Sequence, residues 1–141
     1  MFYWFLSKVM VIKDIMKIKN IIKHKDQRGL IINILASKFQ SCALIYSKKN
    51  SVRANHYHKK DWHYCYVLYG KIKYIYGEIG SEKKNSYTVK KGELFYTPPM
   101  LVHAMYFLED TEFLTLGNKT RTQKSYEADL VRVPNFYVQK N

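Results

Sequence analysis

Arginine is scarce in this chain. Only Arg28, Arg53, Arg121 and Arg132 are arginines among 24 basic residues, although the formal net charge is +13. A nucleic-acid surface leans on guanidinium forks for phosphates and base edges, whereas here scattered lysines carry nearly all the charge. Nucleic acid is therefore not an expected partner, and a phosphate-bearing small molecule suits the charge equally well. Cysteine is rarer still. Cys42 and Cys65 lack CxxC spacing, and no secretory signal calls for a disulfide; both thiols are expected to stay reduced in the cytoplasm. Long apolar runs are missing as well. The opening residues MFYWFL meet Lys8 after six positions, far short of the roughly 20 needed to cross a bilayer. They also lack a basic leading region and a small-residue cleavage site. Residues 1–15 are expected to be an N-terminal extension, with Met10 or Met16 the natural start, and residues 16–141 a single domain with no membrane contact.

What remains is a chain built for strands. Of its 141 residues 47% are hydrophobic and 16% aromatic, 13 of them tyrosine, and large rings suit a pleated surface. Leu30–Ala36 and Ser41–Tyr46 both read as nearly continuous apolar runs, consistent with buried strands. Lys71–Tyr76 opens by alternating charged and apolar residues, as a strand with one wet face does. Turns of Gly, Asn, Lys and Asp recur every 8–12 residues, and Pro98-Pro99 interrupts a ladder to which proline cannot donate. The only helical stretch lies near Thr122–Asp129. Nine or ten short strands with no long helix predict an all-β sandwich or barrel.

The chemistry concentrates in residues 51–70, SVRANHYHKKDWHYCYVLYG. Successive side chains on a strand point to opposite faces, so His56 and His58 share one face. His63 follows, and His103 lies in a second segment. If His63 faces inward so do Cys65, Val67 and Tyr69; if His103 does, so do Leu101, Met105 and Phe107. Such neighbours would line an apolar cavity with imidazoles at one level. By the same alternation Arg53 points away from His56. Tyr64 and Tyr66 form an aromatic outward face suited to pairing two copies of the chain.

These segments resemble the two motifs of the cupins, which are small jelly-roll barrels. In the first, His56-Tyr57-His58 is followed after four residues by His63 and after six more by Gly70; histidine replaces the usual glutamate, and Ser51 stands where glycine is common. In the second, Gly92, Pro98 and His103 keep the spacing, with Met100 where glycine is usual. Within the cupins, Arg53-Ala54-Asn55-His56-Tyr57-His58 is similar to the RGxHxH segment of sugar-nucleotide 3,4-ketoisomerases and the RxxHY segment of dTDP-4-dehydrorhamnose 3,5-epimerases. The turn Asp26-Gln27-Arg28-Gly29 and the segment Tyr96-Thr97-Pro98-Pro99 suit that group. Alanine replaces the glycine after Arg53, and the epimerases' paired tyrosine and aspartate have no assigned position.

The resemblance implies an isomerase or epimerase of a nucleotide-linked keto-deoxysugar in surface polysaccharide biosynthesis. It would be a cytoplasmic homodimer needing no cofactor. His56 would be the base, His58 its assistant and Arg53 a diphosphate contact. Tyr57, Tyr74 and Tyr76 are candidate substrate-binding groups and acids. Histidine, with an ordinary pKa near 6.5, transfers protons in both directions at neutral pH. Two other functions stay open. His56, His58, His63 and His103 together would suit a divalent transition metal (Fe, Mn, Ni, Cu or Zn), as in a metal-dependent oxygenase or isomerase. A cupin that binds a nucleotide sugar without turning it over is the third.

Overall fold

The computed structural model describes residues 17, 18 and 21–140; the expected extension over residues 1–15 lies outside them. Among the described residues twelve strands and one helix follow in chain order. The strands are β1 (Lys17–Ile18), β2 (Ile22–Asp26), β3 (Gly29–Asn33), β4 (Ser41–Ser47), β5 (Val52–His58) and β6 (His63–Tyr69). After them come β7 (Lys71–Glu78), β8 (Asn85–Lys90), β9 (Leu94–Thr97), β10 (Leu101–Phe107) and β11 (Thr111–Gly117). Helix α1 (Gln123–Asp129) and β12 (Leu130–Arg132) close the order. Two five-stranded antiparallel sheets form the body. One runs β1-β9-β6-β11-β4 and the other β12-β5-β10-β7-β8, with β2-β3 a separate hairpin. This is the expected jelly roll. Among the described residues no helix is long and apolar enough to cross a membrane.

Alternation fills the space between the sheets. Cys65, Val67, Phe95 and Phe113 from one sheet meet Ile72, Tyr74, Val89, Leu101, Met105 and Phe107 from the other. The expected inward set holds except for Tyr69, which is 44% exposed. There the β6–β11 ladder slips, Glu112 facing Tyr69 and Phe113 facing Val67. The extra residue reverses the parity of the strand end. The outer face of the second sheet is covered too. Phe136 of the C-terminal segment is buried with Ile75, Val102 and Ala104.

Two expectations about surfaces are corrected. The apolar run after Gly29 is not a buried strand: β3 belongs to the separate hairpin, with Leu30 52% and Ile31 64% exposed. Tyr66 is only 6% exposed, and Tyr64 packs against Trp62 and Tyr96. The open apolar surface lies on the hairpin and on edge strand β4, at Leu44 and Tyr46.

The histidine strand is bent by a bulge. His56 faces His103 across the β5–β10 ladder, but Ala104 faces Ala54, which leaves Asn55 as the extra residue. Ala54 and Asn55 have φ of 71° and 53°. Left-handed backbone costs an L-residue about 1–2 kcal/mol. Met100, at φ 63°, bears the same strain in the turn before β10. Ala54 and Met100 both stand at positions where the resembling segments usually carry glycine. We expect Ala54→Gly with Met100→Gly to raise the melting temperature by a few degrees, because relief of strain outweighs the glycine entropy cost of about 0.4–1 kcal/mol at each position. An unchanged or lower melting temperature by calorimetry would contradict this account.

Candidate active site

Four imidazoles converge between the sheets. Ring centroids are 4.8 Å apart for His56–His58 and 4.9 Å for His56–His103. His63 stands 5.5 Å from His58 and 5.8 Å from His103. His56 and His58 come from β5, His63 from the start of the neighbouring sheet's β6, and His103 from β10. All four sequence candidates are therefore brought together.

The bulge changes the place of Arg53. Across the ladder Arg53 faces Met105, a residue of the interior face, so the extra residue returns Arg53 to the face of His56. Its guanidinium then bridges the sheets instead of approaching the imidazoles. Nε donates to Ser47 Oγ at 2.7 Å and Nη2 to the Tyr46 carbonyl at 3.0 Å. Tyr57 is a correction: the alternation that pairs His56 with His58 sends it to the outer face, where it packs in the cluster around Phe136. Tyr74 is fully buried, stacks on His103 at 5.8 Å and pairs its hydroxyl with Thr97 Oγ1 at 2.9 Å. It supports the histidine ring from behind. Tyr76 packs beside Tyr74 and Tyr87.

Three residues that the sequence reading did not single out complete the site. Helix α1 is short and begins at Thr122, whose Oγ1 accepts from Ser125 N–H at 3.3 Å. Residues three apart share a helix face, and that face presents Tyr126 and Asp129. The Tyr126 ring lies 5.6 Å from His58 and 6.3 Å from His56. Asp129 is clamped over the histidine. Its Oδ1 accepts from Lys60 N–H at 2.9 Å and its Oδ2 from Asp61 N–H at 3.1 Å. The same Oδ2 lies 3.2 Å from His58 Nδ1. A carboxylate only accepts, so Nδ1 carries the proton and Nε2 of His58 keeps a free lone pair. The third residue is Arg121, in the loop before α1, with its guanidinium 5.3 Å from the Tyr126 ring centroid. A narrow cavity is lined by His58, His63, Asp61, Arg121, Tyr126, Ser41, Thr115 and Gly117.

Burial keeps the imidazoles neutral. His56 is pushed down to about 2, by loss of water first and then by His103 and His58 beside it. His103 is lowered to about 4 for the same leading reason, and burial takes His63 well below the usual value. His58 is also lowered by burial, but Asp61 and Asp129 pull the other way. Among the four, only His58 has carboxylates to stabilise its charged form. Burial pushes the Cys65 thiol up to about 12, so it carries no nucleophilic thiolate.

The cluster also fits a metal. His56, His58 and His103 each offer a nitrogen, all within 4.8 Å of one another. His103 Nδ1 lies 3.0 Å from the Leu101 carbonyl, which can only accept. That leaves Nε2 as an acceptor, buried without a partner. Neutral imidazoles with free lone pairs suit a borderline divalent cation. His63 stands outside that set of three.

A family profile described as a cupin domain matches residues 45–116, a span holding both histidine segments. No curated protein sequence matches the chain significantly. Among solved structures, a 3,4-ketoisomerase from Helicobacter canadensis superposes with a TM-score of 0.68 at 17% identity, covering 83% of this chain and 90% of that one. A sugar 3,4-ketoisomerase from Thermoanaerobacterium thermosaccharolyticum, in complex with TDP, gives 0.67 at 18% identity over 86% of this chain and 88% of that chain. A dTDP-4-dehydrorhamnose 3,5-epimerase from Sulfolobus tokodaii gives 0.66 at 16% identity over 83% and 76%. These likenesses show a shared fold.

Proposed function

The chain belongs to the cupin family, and from that premise we propose that it is a cytoplasmic isomerase or epimerase of a nucleotide-linked keto-deoxysugar, serving surface polysaccharide biosynthesis. The observation that carries this reading is the His58–Asp129 pair beside Tyr126. A hydrogen on the carbon next to a ketone is acidic enough for a well-placed base to remove it. His58 Nε2 takes that proton, and Asp129 stabilises the imidazolium that forms. Tyr126, whose ring lies beside His58, donates to the enolate oxygen in this reading. His56 and His103 stay neutral, since burial leaves them little basicity. Delivery of a proton to the former carbonyl carbon, with loss of the hydroxyl proton on the carbon that was deprotonated, moves the ketone along the ring; reprotonation of the original carbon from its opposite face, by a donor other than His58, inverts it.

The test uses a TDP-linked 4-keto-6-deoxy sugar in deuterated water. The reading expects deuterium at a carbon beside the ketone together with a new isomer, followed by NMR. Tight binding with no label would point to a non-catalytic binding protein instead.

The protein is further proposed to act as a homodimer. A two-stranded hairpin is marginal in isolation, and β2-β3 leaves Ile22, Leu30 and Ile31 in water. Sedimentation equilibrium at the mass of one chain would reject this.

The unpartnered His103 Nε2 favours a second reading, in which His56, His58 and His103 hold a transition metal. Such an ion supplies a Lewis acid for a substrate oxygen. Elemental mass spectrometry on protein purified without chelator decides: about one equivalent, lost in the His56→Ala/His103→Ala double variant, would support it, and metal-free protein would remove it.

A further inference from the structure

Three of the four arginines are already engaged. Arg28 pairs with Asp26 at 2.7 Å. Arg132 forms a two-pronged pair with Glu127 at 2.7 and 2.8 Å. Arg53 is bound to Ser47 and the Tyr46 carbonyl. Arg121 differs. Among the described residues it has no carboxylate or carbonyl partner, only a 3.3 Å contact from Nη1 to Thr115 Oγ1. Most of its five donors are therefore unspent. It also lines the same cavity as His58 and His63. Packing against the Tyr126 ring restricts the plane of its fork. The hydroxyl-bearing residues Ser41 and Thr115 line that cavity beside it.

A planar cation with free donors, sharing its cavity with two hydroxyl residues, the imidazoles of His58 and His63 and the carboxyl of Asp61, whose pKa burial raises, suits a phosphate oxygen. Resting on the nucleotide-sugar reading above, we infer that Arg121, with Ser41 and Thr115, is the subsite for the substrate's diphosphate, holding the phosphate next to the sugar while the ring reaches His58. The role that the motif resemblance gives to Arg53 passes to a residue outside both histidine motifs.

Calorimetric titration of the full chain with TDP, and separately with inorganic pyrophosphate, tests this. Arg121→Gln is expected to weaken TDP binding at least tenfold and Arg121→Lys by less, with Lys91→Gln as the control for lost charge and unchanged melting temperatures confirming the fold. TDP affinity within twofold of wild type in Arg121→Gln overturns the inference. So does a tenfold loss confined to Arg53→Gln. Pyrophosphate binding that depends on Arg121 without any TDP binding supports the anion subsite and rejects the nucleotide part of the function. Wild-type protein that binds neither ligand overturns the subsite, while the deuterium experiment decides the sugar chemistry independently.

Discussion

Replacing His58 by asparagine is expected to slow deuterium uptake into the TDP-linked keto sugar by roughly 100- to 10,000-fold, the usual worth of a positioned general base. TDP affinity should stay near that of wild type, because the substitution leaves Arg121 in place. Asp129→Asn should also slow exchange, since an amide cannot carry the charge that stabilises the imidazolium. The acid limb adds a signature that a loss of folding would not give. Burial lowers the His58 pKa while Asp129 and Asp61 raise it. The wild-type rate should therefore fall only below the ordinary imidazole value near pH 6.5. In Asp129→Asn the fall should move lower still, because a raising charge is gone. If His56→Asn stops exchange while His58→Asn leaves it intact, the base is His56, as the motif resemblance implies.

Acid should also destabilise the whole fold, starting at a mild pH. His56 and His103 have folded pKa values of about 2 and about 4, against an unfolded value near 6.5. Above pH 6.5 neither state binds the proton and stability is full. Between 6.5 and the folded values only the unfolded chain binds it, so stability falls as pH falls. Each such histidine removes up to about 1.4 kcal/mol per pH unit. A drop of the melting temperature by more than ten degrees between pH 7 and pH 5 is expected. The drop should be smaller in a His56→Gln/His103→Gln variant, which has fewer groups to charge. A melting temperature flat over that range in wild type would mean that the imidazoles are hydrated or already charged.

The sequence shows the strands well because alternation is a local property, and it shows His56, His58, His63 and His103 because motif spacing is local too. Three things escaped it. The Ala54-Asn55 bulge reverses the parity of Arg53, and no composition rule reports an extra residue in a ladder; the only trace is a missing glycine at a left-handed position. Asp129 meets His58 from 71 residues away, through a helix too short for periodicity to stand out. The signal that would have served is Tyr126 and Asp129 at helical spacing of three, directly after a Thr N-cap. The exposed apolar strand β3 misled because an apolar run reads the same in sequence whether the fold covers it or leaves it open.

The bulge that aims His56 is held from outside the barrel by the far end of the chain. Asn55 Nδ2 donates to the Tyr137 carbonyl at 3.0 Å, Tyr137 N–H donates to Asn55 Oδ1 at 3.1 Å, and Val133 N–H donates to the Asn55 carbonyl at 2.7 Å. During synthesis Asn55 thus waits for a partner 82 residues downstream, several seconds at about 5–20 residues per second. Asp129 arrives only slightly earlier. The ribosome therefore delivers nearly all the strands of both sheets before the groups that set the histidines, so the strands can pair before the cluster takes its final geometry.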